Sequence, residues 1–206
     1  MEPSSVCYGD SAVHSRNGSI YSDETAVCRH YLSDHFGCEG LADRKGKECT
    51  MIENERIRIY PARQEKMERF ITVEKNDELK KAYREMLEGC LAHPDQWDWY
   101  AMWMIEKTDG THIGDLCFKG LKEDRNPEIG YGILNEFQGQ GYATEAVKLA
   151  LKWAFDHPDV AAVEAESDPD NLASQRVLKK CGFQATGEFG EEGPRFIVYR
   201  RTVNNE

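Results

Sequence analysis

No stretch of this sequence is apolar for more than a few residues, which is too short to cross a bilayer. Nor does Met1–Ser15 have the basic start and apolar stretch of a secretory leader. These two absences predict a cytoplasmic protein with no membrane partner. Basic residues are also short: 26 Lys and Arg stand against 37 Asp and Glu, for a formal charge of −11. No basic stripe of the kind that tracks a nucleic-acid backbone is visible. An acidic surface keeps a chain soluble, and it also suits a cationic partner such as an amine. A paired cysteine framework is missing too. The seven cysteines are odd in number and irregularly spaced, which argues against disulfides. Cys28, His30, His35 and Cys38 lie close together, but not at the spacing of a familiar zinc module, and no metal is expected there.

What is present reads as a folded domain preceded by an arm. Residues 1–51 hold a Ser-, Gly- and Asn-rich start, one amphipathic helix opening at Ser22 and ending at Gly37, and a polar linker. The domain is expected over residues 52–203. Arg56–Tyr60 alternates as a strand, and 64–74 and 77–93 have helical spacing. Strands are predicted at Trp99–Lys107 and His112–Lys119, joined by the turn Thr108-Asp109-Gly110-Thr111. A strand over 128–134, a helix over 143–155, a strand over 162–166 and a helix over 172–181 follow. Strands at 183–188 and 196–201 close the domain. This order predicts a mixed α/β fold, antiparallel early, with a parallel crossover over 128–166. Of the aromatic group Trp97, Trp99, Tyr100 and Trp103, most is read as core or dimer surface, and Trp97 or Trp99 as a candidate wall for a cationic acceptor.

The most informative segment is Gln138-Gly139-Gln140-Gly141-Tyr142-Ala143-Thr144, between a strand and a helix. Glycines there let a ligand approach the backbone, and a helix start offers free N–H groups to phosphate. The Gly-Lys-Ser/Thr of a Walker loop is absent, and Thr144 stands where a Rossmann fingerprint has its third glycine.

Gln138-x-x-Gly141-x-Ala143 resembles the Gln/Arg-x-x-Gly-x-Gly/Ala motif of the GNAT superfamily of acetyl-CoA-dependent N-acetyltransferases. Asn171-Leu172-Ala173-Ser174 with Val177–Phe183 is similar to that family's second motif, and Glu128-Ile129-Gly130-Tyr131-Gly132 to its central strand. Within the superfamily the pattern is most similar to the ribosomal-protein alanine acetyltransferase branch. The resemblance implies a central mixed sheet with helices on both faces and a splayed pair of central strands. It implies acetyl-CoA as acyl donor, a primary amine as acceptor and no metal, and homodimers are common in the family. It places backbone groups of Ile133 and Leu134 on the pantetheine arm and the amides of Gln138, Gly139, Gln140, Gly141, Tyr142, Ala143 and Thr144 on the pyrophosphate. Asn171 would reach the arm, with a helix N-cap as its other role, and Ser174 would lie near the thiol, or else simply pack its helix. Glu128 would accept the proton of the attacking amine, with a strand-end salt bridge as the alternative. Its neighbours Pro127 and Ile129 suggest burial, which predicts a raised pKa. One departure stands out: the family's tyrosine acid, seven residues after the motif asparagine, is Leu178 here. Two other readings stay open, an acyl-CoA-binding regulatory module without turnover and an interaction protein acting through its first 50 residues.

Overall fold

A computed structural model describes residues 50–200. The expected arm helix and the Cys28–Cys38 cluster lie outside the described residues.

The elements run in the order β1 (Ile52–Glu53), β2 (Ile57–Pro61), α1 (Gln64–Val73), α2 (Asp77–Ala92), a short α3 (Trp97–Tyr100), β3 (Met102–Lys107), β4 (His112–Phe118), β5 (Ile129–Ile133), α4 (Tyr142–Asp156), β6 (Ala162–Glu166), α5 (Leu172–Lys180), β7 (Gln184–Phe189) and β8 (Pro194–Tyr199). Two antiparallel sheets result, one in the order β1-β2-β3-β4-β5 and one in the order β6-β8-β7. Among the described residues their edges meet at one parallel bridge, Glu128 to Glu164, with the Glu164 amide donating to the Pro127 carbonyl at 2.9 Å. Beyond that point β5 and β6 share no ladder among the described residues. The crossover over 128–166 is therefore parallel in direction, but the strands splay.

The main core lies between the sheets and α4. Ala146, Val147, Ala150, Leu151 and Ala154 form the buried face of α4, at the three- and four-residue spacing of one helix side. The small alanines let the helix settle close to Ile57, Ile59, Ile105 and Ile113. A second cluster packs α1 and α2 on the opposite face through Met67, Phe70, Leu79 and Tyr83. Asn76 caps α2 by accepting from the amides of Glu78 and Leu79.

The second predicted strand, Trp99–Lys107, begins later than the pattern suggests. Residues 97–100 form a helical turn, because Pro94 opens a short 3₁₀ segment that carries the chain into it. Trp99 and Trp103 are core residues, one tilted and one edge-on to Trp153 at 4.3 and 4.7 Å, and Trp97 donates to the Ala62 carbonyl. Trp99 and Trp103, both buried, are not free to line an acceptor pocket, while Trp97 is half-buried.

His112 opens β4 with its ring 5.5 Å from that of Phe70, and its buried Nδ1 has no partner among the described residues. Burial, reinforced by Lys66 and opposed by Glu106, pushes its pKa down to about 4. The unfolded chain takes up this proton near 6.5, so the unfolded state binds more protons between pH 6.5 and 4. Stability present above that window is lost as pH falls through it, by about 2 kcal/mol at pH 5. Urea unfolding at pH 7 and pH 5 should show this loss in the natural chain and not in His112→Leu. An equal loss in both would assign it to another group.

Candidate active site

β5 has two hydrogen-bonding sides. The Leu134 amide donates to the Ile113 carbonyl and the Lys119 amide to the Glu128 carbonyl. In an antiparallel ladder, bonded and non-bonded pairs alternate. The amides of residues 128, 130, 132 and 134 therefore face β4, and those of Ile129, Tyr131 and Ile133 face the gap toward β6. Leu134 is thus not available to an arm in the gap, since its amide is paired and its carbonyl accepts from Phe137. The Ile133 carbonyl is also taken, by Gln138 Nε2 at 2.9 Å. What lines the gap is the Ile133 amide and both backbone groups of Tyr131. The gap is a slot about 20 Å long, counting six residues of strand rise from the Glu128 bridge to Leu134.

At its open end the slot meets the glycine loop. Gln138 braces the loop through its side chain, which also donates to Asn135 Oδ1 at 3.1 Å. Gly139 and Gly141 have φ of +73° and +89°, and Gly141 is the N-cap of α4. That left-handed step aims the amides of Gly141, Tyr142, Ala143 and Thr144 outward, and the first helical bond is Glu145 to Gly141. A β-carbon at Gly139 would meet nothing within 4 Å, so the loop surface is open. Gln140 turns its side chain back to the Glu136 carbonyl. The Arg56 guanidinium lies 4.4 Å over the Tyr142 ring, bonds the Gln140 carbonyl at 3.3 Å and pairs with Glu145 at 2.5 Å. Free amides, a helix N-terminus and a nearby guanidinium together can hold an anionic group.

Across the slot, Asn171 caps α5 by accepting from the Ser174 amide at 2.9 Å. The N-cap reading of Asn171 therefore holds. Ser174 Oγ lies 3.0 Å from the Tyr131 hydroxyl, which is also 3.2 Å from the Ser174 carbonyl. Burial raises the Tyr131 pKa. Tyr131 stands in the strand motif that the sequence singles out, but nothing in the pattern says that its side chain crosses the gap. Leu178 is fully buried and belongs to the core.

At the closed end, Glu128 is 7% exposed. Its carboxylate bonds Lys119 Nζ at 2.6 Å and lies 3.5 Å from Lys122. Burial pushes its pKa up, but the two ammonium groups outweigh burial and hold it below the usual carboxylate range. The expected upward shift is reversed, because no feature of the local sequence announces lysines arriving from Phe118–Lys122. Lys119 also bonds Glu192, at 2.7 Å. Glu192 is the residue that sequence reasoning passed over. It sits on the loop between β7 and β8, its amide held by Glu166 at 3.0 Å. Burial raises its pKa, Lys119 opposes, and Glu128 and Glu166 add to the rise, so its carboxyl is held above the ordinary range. Gly193, at φ +136°, makes this placement possible. A β-carbon there would come 2.4 Å from the Ser167 carbonyl. Beside this network lies a small open cleft lined by Glu128, Glu164, Glu166, Glu188 and Arg195, in which Glu164 pairs with Lys122 at 2.7 Å and Glu166 with Arg195 at 2.9 Å. No group of metal-ligating side chains occurs among the described residues.

With this geometry in view, the chain belongs to the GNAT acetyltransferase domain family, whose model matches residues 53–184. It is 34% identical over 83 residues to the uncharacterized N-acetyltransferase YjdG of Bacillus subtilis, covering 39% of this chain and 49% of that protein. It is 31% identical over 81 residues to YdaF of the same organism, which is named provisionally as a ribosomal N-acetyltransferase. That match covers 39% of this chain and 44% of YdaF. The chain thus spans about half the length of the curated relatives it matches. Among solved structures it is similar to spermidine N-acetyltransferase from Vibrio cholerae in complex with CoA and spermine. The TM-score is 0.57 at 16% identity, over 71% of this chain and 96% of that one. That likeness establishes the fold.

Proposed function

We propose that this chain is an acetyl-CoA-dependent N-acetyltransferase acting on a cationic amine. The observation that carries the reading is the continuity of the slot with the loop: an interior strand edge runs into four free amides at a helix start. A pantetheine arm is an extended chain with amides of its own, which suits the Tyr131 and Ile133 edge. Its pyrophosphate suits the amides of Gly141 to Thr144, with Gln138, Gly139 and Gln140 shaping the loop below it. A backbone N–H of β5 would polarise the thioester carbonyl.

The amine attacks that carbonyl directly once it has lost its proton. The carboxylates at the closed end are suited to accept it, and they divide the work. Glu128, held ionised by two lysines, is the weaker base and anchors the network. Glu192 has the higher pKa and shares Lys119, so it is the better proton acceptor near neutral pH. The chain's formal charge of −11 suits a positively charged acceptor. The spermidine acetyltransferase of similar fold acts on such an amine, which supports the same substrate class here.

Thiol release from acetyl-CoA across a panel of spermidine, simple alkylamines and peptides with free N-termini tests the proposal. Turnover with at least one amine is expected. Binding of acetyl-CoA without turnover would favour a regulatory acyl-CoA-binding module instead, and absence of binding would overturn both.

A further inference from the structure

Resting on the acyl-transfer reading above, we infer that Tyr131 is a positioning residue that aims the Ser174 hydroxyl at the sulfur of the bound thioester. Tyr131 rises from β5 and Ser174 from the first turn of α5, the helix that follows β6, so their hydrogen bond ties β5 to the element beyond the far strand. The phenol has one proton and two acceptors in reach, Ser174 Oγ at 3.0 Å and the Ser174 carbonyl at 3.2 Å. Two arrangements follow. In one, the phenol donates to the carbonyl and Ser174 donates to the phenol oxygen, so the serine proton is occupied. In the other, the phenol donates to Oγ and the serine proton is freed toward the slot. Negative charge growing on a sulfur in the slot favours the second. The Ser174 amide is already committed to Asn171, which fixes the turn and leaves only the hydroxyl to move.

The step balances without further reagents. The amine nitrogen forms a bond to the thioester carbon, the C–S bond breaks, and its electron pair leaves on sulfur. Ser174 O–H donates a hydrogen bond to that thiolate while Tyr131 O–H donates to Ser174. The proton the ammonium loses before attack goes to the carboxylates at the closed end, the one the nitrogen loses as the amide forms goes to water, and the thiolate later takes a proton from water. The phenol keeps its own proton throughout, since burial makes it a much weaker acid than a thiol near pKa 8.5. What the pair passes on is hydrogen-bond direction.

Thiol-release rates with the acceptor amine found by the panel, and calorimetry with acetyl-CoA, test the inference. Tyr131→Phe and Ser174→Ala should each lower kcat by about 10- to 100-fold, the worth of one charge-assisted bond. Acetyl-CoA affinity should stay within about threefold in both, as for a bond that strengthens only as charge develops. The double variant should be no slower than the slower single, because the two act as a unit. Ser174→Thr, which keeps a hydroxyl, should recover most of the rate. A Tyr131→Phe enzyme within twofold of the natural kcat, multiplying losses in the double variant, or a Ser174→Thr as slow as Ser174→Ala would each overturn it. Should Tyr131→Phe fail to fold, the two serine variants decide. The underlying reading fails separately, if the unaltered chain neither binds acetyl-CoA nor releases thiol.

Discussion

Acetyl-CoA affinity should fall at least about 100-fold when Gly141 is replaced by valine, the equivalent of two hydrogen bonds to a charged phosphate. At this position a β-carbon comes no nearer than 4.0 Å to any other part of the chain, at Glu145 Oε1. The new side chain therefore occupies the space above the loop, and what it displaces is the ligand. The φ of +89° adds strain of about 1–3 kcal/mol for a branched residue, which tilts the outward amides of the first turn. Calorimetry on the folded variant, checked by circular dichroism, measures the loss. Unchanged affinity would remove the loop from the binding site.

Turnover should drop by roughly 10²- to 10⁴-fold in Glu192→Gln, the contribution of a positioned general base. Acetyl-CoA binding should not change, and the deficit should shrink at high pH, where more of the amine is already neutral. Glu128→Gln should behave differently. Its carboxyl is held below its unfolded value, so its pairing stabilises the fold above that value and is lost as pH falls through the folded one. Removing it erases that acid-side loss of stability and takes one carboxylate from half-buried Lys119, and stability near neutral pH falls. Gly193→Ala offers a cross-check, because it forces the loop off the Ser167 carbonyl and should copy the Glu192→Gln rate profile with both carboxylates present. If Glu192→Gln turns over normally at pH 7 and Glu128→Gln does not, the assignment of the two carboxylates reverses.

The contrast between these two glutamates shows how far a sequence can be read. The glycine loop was legible because its ingredients are consecutive: two glycines, then a helix pattern with Ala146, Val147 and Ala150 on one face. The strand and helix order was legible for the same reason, since alternation and helical spacing are local. The start of β3 was misplaced because a 3₁₀ segment at Pro94 has no periodicity of its own. The electrostatics of Glu128 were not legible at all. Its pKa is decided by burial and by Lys119 and Lys122, placed around it by a loop, and the Glu192 that shares Lys119 is 64 residues away in the chain. The Tyr131–Ser174 contact escaped similarly, since it needs two strands to part and a helix to lean into the opening. Leu134 was assigned to the wrong side of its strand, as any one-residue error of parity does.

On the slot, β5 presents the backbone groups of Tyr131 and the Ile133 amide without a partner strand, while the β6 amides of Ala162 and Glu164 donate to Asn126 Oδ1 and the Pro127 carbonyl. Unpaired edges are where chains stick to one another. The outward edges are blunted, β1 by being two residues long and β7 by a register shift between Ala185 and Phe189. The edges of β5 and β6, five residues each, are turned inward. An extended ligand bearing amides would join them as an added strand does. The empty protein should accordingly be the more prone to aggregate on heating, and a non-reactive CoA thioether should suppress the turbidity that the empty chain develops.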